Sequence, residues 1–170
     1  MFDKGKYIKV VESMTNRDLA KYYRTLSKRL VDETNPAKAK NCQTVIELIE
    51  LEWRNRLEEN DSSAYPGEGL MSTMGYRVGD TQGIRVEYRR MIIQDVLEGP
   101  IPFVDSPAYM REWGQDKSIQ RYKKLKRFLS SEIHSPLQKN NYRAISEWKE
   151  DLIWLEKKGI EFVNLSKEKI

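Results

Sequence analysis

Lys117, Arg121, Lys123, Lys124, Lys126 and Arg127 fall within eleven consecutive positions that hold no carboxylate. Cations at that density attract polyanions, because each phosphate met by a lysine or arginine releases condensed counterions and the gain accumulates contact by contact. Such chemistry needs the cations on one face of a rigid element. On a helical wheel at about 100° per residue, Ile119, Tyr122, Leu125, Phe128, Leu129 and Ile133 take one half. Lys117, Arg121, Lys123, Lys124 and Arg127 take the other, with Lys126 nearer the apolar side. The spacing therefore predicts a helix from Asp116 or Ser118 to about Ile133 that packs and presents charge at once. Arg89 and Arg90 are candidates to extend the same phosphate-contacting surface. The competing expectation is a solvated face neutralised by acids of neighbouring segments, such as Glu147, Glu150 and Asp151. Tyr109 and Trp113, close by in sequence, are expected as core anchors before they are expected to stack on bases.

Other residue patterns carry less chemistry. The glycines of "GYRVG" and "GDTQG" lack the Gly-Lys-Ser/Thr ending of a phosphate-binding P-loop and the spacing of a dinucleotide fingerprint, so they read as turns. "EWK", residues 147 to 149, has the order of half a metal-dependent nuclease site but sits in a helical pattern with no preceding aspartate strand. Glu147 with Asp151, and Asp95 with Glu98, are carboxylate pairs at helical spacing, a pattern that most often means ordinary helix surface. One histidine, His134, and one cysteine, Cys42, cannot supply a zinc site or an internal disulfide. No cofactor or metal site is expected, and Cys42 is expected as a buried, inert thiol.

The elements that must position these residues are mostly helical. "YIKVVE", residues 7 to 12, is β-branched and pairs on paper with "IEFVNL", residues 160 to 165, as a minor two-stranded sheet of the termini. Thr15 or Asn16 caps a helix with Leu19, Tyr22, Tyr23, Leu26 and Leu30 at helical spacing. Pro36 opens a second, with Val45, Ile46, Leu48, Ile49, Trp53 and Leu57. The two form an antiparallel hairpin over residues 1 to 60. The turn-rich stretch 61 to 69 reads as a linker to a C-terminal helical lobe, residues 70 to 170. There, helices are expected before Gly75, over 84 to 98, within 105 to 114 with Ser106 as cap, over the basic stretch, and from about Lys139 to Lys158 with Gly159 as its stop. The fold class is mainly α.

The 170 residues carry 30 basic and 26 acidic side chains, a net charge of +4, with 39% hydrophobic residues and mean hydropathy of -0.73. That composition argues against wholesale disorder and against a spanning helix. The start "MFDKGKYIKVVE" has no continuous apolar core of a signal segment, so a cytoplasmic protein without membrane contact is expected.

In the C-terminal half, "LMSTMGYRVG", the basic helix preceded by "YMREWG", and "AISEWKEDLIWL" together resemble a bacterial helical domain met in proteins of prophages and other mobile elements. The resemblance covers roughly residues 69 to 158. It implies a helical module and a mobile-element setting, and it brings no assigned activity and no site residue. The expected function is a non-enzymatic binding module that meets nucleic acid through Lys117, Arg121, Lys123, Lys124 and Arg127, with Arg89 and Arg90. The alternative is an adaptor or inhibitor of a host nucleoprotein complex that presents the same cations to an acidic protein surface, with the N-terminal hairpin available for a homodimer.

Overall fold

A computed structural model describes residues 3–59, 69–135, 137 and 140–167, with side chains described as far as Gly159. The proposed linker therefore lies almost wholly outside the described residues. Among the described residues eight helices follow in order: α1 Lys4–Ser13, α2 Asn16–Asp32, α3 Pro36–Glu58, α4 Leu70–Thr73, α5 Val86–Glu98, α6 Pro107–Trp113, α7 Ile119–Ile133 and α8 Tyr142–Lys167. The protein is mainly α, and no described residue lies in an extended strand.

The chain forms two compact units, one from Met1–Gly75 with Gly99–Arg111, the other from Tyr76–Glu98 with Glu112–Ile170. In the first, α3 packs against both α2 and α1. Thr15 accepts from the Asp18 amide at the start of α2, and Asn35 accepts from Ala37 and Lys38 at the start of α3, so each helix begins where a short polar side chain satisfies its orphan amides. Leu19, Tyr23, Ile46, Ile49 and Trp53 close the core, with the Tyr23 and Trp53 rings 4.8 Å apart. Arg56, buried in this unit, donates to Asn16, to Glu52 and to the carbonyls of Glu12 and Met14 at the end of α1.

In the second unit, α8 packs against α7 and α5, and α5 against α7. Leu125, Leu129, Ile93, Val96, Ala144 and Leu155 form its interior. Ser118 caps α7, as its position before Ile119 predicts, by accepting from the Arg121 amide 3.2 Å away.

The pairing of the termini as strands is corrected. "YIKVVE" lies in α1, started by Asp3 accepting from Lys6, because Val11 turns inward at helical spacing and outweighs the weak strand preference of β-branched residues. "IEFVNL" continues α8, and Gly159 does not stop it. A Cβ at Gly159 would run into the Tyr122 ring, so this glycine serves the close approach of α7 and α8 rather than a helix end.

Candidate functional site

The cations singled out in the sequence separate into three groups. Arg121 points inward and is only 3% exposed. Its guanidinium donates to the Val96 carbonyl at 3.2 Å and to the Gly114 carbonyl at 2.6 Å. Burial pushes its pKa down to about 10, a shift partly offset by Asp116, so it stays charged at neutral pH. Val96 lies in the last turn of α5, where carbonyls have no intrahelical partner. The next orphan, Leu97, accepts from the Lys117 amide at 2.9 Å. The turn before α7 thus finishes α5, and Arg121 is a structural fastener rather than a phosphate ligand. Its place in the apolar stripe was readable: it precedes Leu125 and Leu129, both fully buried, by four and eight residues.

Arg89 is corrected in the same way. It is 2% exposed and its Nε donates to Asp151 at 2.7 Å, while its terminal nitrogens lie 3.4 Å from Glu147 and 3.5 Å from Glu150. Burial alone would lower the guanidinium's pKa, but the hydrogen bond and charge of Asp151, with Glu147, raise it. Asp151 is fully buried and also accepts from the Tyr76 hydroxyl at 2.7 Å. Burial raises its carboxyl above the ordinary aspartate range, and the bonds from Arg89 and Tyr76 offset part of that. The Tyr76 hydroxyl is pushed up by burial and by Asp151, which keeps it a donor. Glu147 further accepts from the Gly79 amide at 2.8 Å, and Arg143 bridges Glu147 and Asp80. The three acids expected to neutralise the basic helix are therefore drawn to Arg89, and the pair read as ordinary helix surface is half of a buried network.

This network joins two stretches that looked unrelated in sequence. Tyr76 and Gly79 belong to "GYRVG", while Glu147 and Asp151 belong to "SEWKED". The glycine turn has φ of +90° at Gly79, a conformation that only glycine adopts without strain, and its amide is thereby aimed at Glu147. Alongside runs a cleft of about 470 Å³ between the start of α5 and α8, bordered by Arg85, Arg89, Arg143, Glu147 and Glu150. Arg90, half-buried, lies 5.9 Å from the Trp154 ring centre.

The remaining cations face outward. Lys124 bonds Glu112 and stands 5.9 Å from the Trp113 ring, and Lys126 pairs with Glu156 at 2.7 Å. Lys124 holds the Glu112 carboxyl below the usual carboxylate range through that hydrogen bond. Lys117, Lys123 and Arg127 are exposed and form no salt bridge with any described carboxylate. Lys123 and Arg127 are one turn apart on α7. Lys117 stands in the turn before it, held at φ of +54°, where a glycine would be relaxed. Trp113 is buried, and Tyr109 is half-buried with its hydroxyl accepting from the Leu70 amide at 2.9 Å.

Among the described residues no helix is long and apolar enough to cross a membrane, and no cluster of three metal-ligating side chains occurs. Compared with known proteins, the chain matches no family model, no curated protein and no solved structure. The fold is that of a mainly helical protein, and Lys117, Lys123 and Arg127 lie exposed on α7 and its leading turn.

Proposed function

We propose that the protein is a non-enzymatic binding module that meets nucleic-acid phosphates through Lys117, Lys123 and Arg127, in a mobile-element setting. One observation carries the reading: these three cations are exposed along a single buttressed helix and its leading turn, with no described carboxylate paired to them. Charge distribution supports it. The first unit holds 13 basic and 13 acidic residues and the second 17 and 13, so the whole net charge falls in the unit that contains α7. A lysine kept in the left-handed region at Lys117 is a further support, since residues held in sparsely populated backbone conformations cluster at functional sites.

Recognition of this kind reads phosphate spacing more than base sequence. The test is fluorescence anisotropy with a labelled duplex and a labelled single strand of mixed sequence at low salt. Lys117→Glu/Lys123→Glu/Arg127→Glu is expected to abolish binding. Undiminished binding by that variant, or no binding by the natural chain to either probe, overturns the reading.

Ile119, 44% exposed one turn before Lys123, is the observation that favours the second reading, an acidic protein surface with an apolar contact. There Ile119→Asp would weaken association, whereas phosphate contact by the neighbouring cations would persist.

A further inference from the structure

In the first unit a second cleft, of about 210 Å³, opens where α1, α2 and α3 meet. Helical spacing builds it: Tyr22, Leu26 and Arg29 line one stripe of α2, and Lys38, Cys42 and Val45 line one stripe of α3. Leu26, Cys42 and Val45 are buried and make an apolar floor. The half-buried rings of Tyr7 and Tyr22 are its aromatic sides. Asn41, Lys38 and Arg29 supply the polar rim, and no carboxylate lines the cleft.

The commitments of these groups distinguish this cleft from the larger one beside Arg89. There, Arg89 and Glu147 spend their polar atoms on each other and on the backbone. Here, Lys38 is exposed and its side chain enters no described ion pair, while the Asn41 amide offers both a donor and an acceptor. Arg29 stands at a long 3.7 Å from Glu33, with its own side chain 58% exposed and that of Glu33 14% exposed. Such a pair is weak and readily exchanged. Tyr22 is held above the ordinary phenol pKa by burial and by Tyr7 and Cys42, so its hydroxyl remains a donor.

A cleft with an apolar floor, lined by two tyrosines, two cations and an amide, suits a planar ring that carries an anionic group. The volume lies below the roughly 300 to 1,000 Å³ of pockets that enclose drug-sized ligands, so a ligand of one base, one sugar and one phosphate would sit partly outside it. We propose that this cleft binds a nucleotide, with the base against Tyr7 and Tyr22, its edge on the Asn41 amide and its phosphate on Arg29 and Lys38. Stacking on aromatic side chains with cations along the phosphate is the general chemistry of such sites. The inference stands on the first unit alone and does not rest on the α7 reading.

The test is calorimetric titration of the full chain with AMP and UMP, with adenosine and inorganic phosphate as the split halves of the ligand, and with a 5′-phosphorylated dinucleotide. Saturable binding is expected for the mononucleotides, at least about tenfold tighter than for adenosine or phosphate alone, since ring and anion are held together. Arg29→Glu/Lys38→Glu, two surface changes, should weaken it by about tenfold or more, and Tyr22→Phe, which keeps the ring, should retain most of it. Lys117→Glu/Lys123→Glu/Arg127→Glu should leave it unchanged. A dinucleotide that binds more tightly than AMP identifies a strand as the source, and equal affinity identifies a free nucleotide. Phosphate or adenosine binding as well as AMP, binding lost in the α7 variant, or no saturable binding by any of these ligands overturns the assignment.

Discussion

Two regions of the second unit use the same residue types to opposite ends. Around Arg89, one guanidinium gathers Asp151, Glu147 and Glu150, with Tyr76 donating to Asp151, and the cluster ties α5, α8 and the Gly79 turn together. Along α7, Glu112 bonds Lys124 and also feels the charge of Arg127, and Glu156 pairs with Lys126. Lys117, Lys123 and Arg127 are what remains. Glu147, Glu150 and Asp151, the acids that the sequence offered as neutralisers of α7, are held at Arg89 instead. Density of charge in a sequence thus says less about a binding face than where the opposite charges are anchored.

The largest effect that would break this comparison is expected at the buried end. Arg89→Met leaves Asp151 in the interior without its charged partner, and removal of one member of a buried pair costs about 3–5 kcal/mol. A urea titration should show that loss, and a change within experimental scatter would mean that the network is incidental. Tyr76→Phe removes one hydrogen bond to the same carboxylate and should cost about 1–3 kcal/mol.

The network also sets a pH dependence. The folded chain keeps a proton on Asp151 to higher pH than the unfolded chain does, whose aspartates titrate near about 3.9. Between that pH and the raised value unfolding releases a proton, so this carboxyl's contribution to stability falls as pH rises. Asp151→Asn should lack that decline, seen as a difference between the two proteins' urea midpoints that develops as pH rises above about 3.9. Parallel curves would remove Asp151 as the source.

At the exposed end the expected effects are smaller and fall on binding. Glu112→Gln releases Lys124, and one added phosphate contact should steepen the salt dependence of duplex binding by up to about 0.9 in log–log slope. Lys117→Gly relieves a left-handed backbone, with the relief of about 1–2 kcal/mol partly cancelled by the greater freedom of glycine in the unfolded chain. Stability should therefore hold or rise slightly while affinity falls. A purely architectural Lys117 would leave affinity unchanged.

Much of the fold was legible because caps and stripes are local. Thr15, Asn35 and Ser118 start their helices where short polar side chains precede apolar periodicity, and Trp53, Leu125 and Leu155 are buried where that periodicity puts them. The misread termini show the limit of strand propensity, since a run of β-branched residues can be helical when a neighbour covers one face. The site was half legible. Arg89, Arg121 and Asp151 each interrupt an apolar stripe, at helical spacing from Ile93, Leu125 and Leu155 respectively, and a charge in such a stripe signals a buried partner. Which partner was not legible: Arg89 and Asp151 are 62 residues apart, and their meeting depends on how α5 packs against α8.

The most direct measurement of the central claim is the slope of log affinity against log salt for the natural chain on a DNA duplex. Three phosphate contacts, from Lys117, Lys123 and Arg127, predict a slope of about −2.7. A slope near zero, or the same slope after all three are reversed to glutamate, would contradict it.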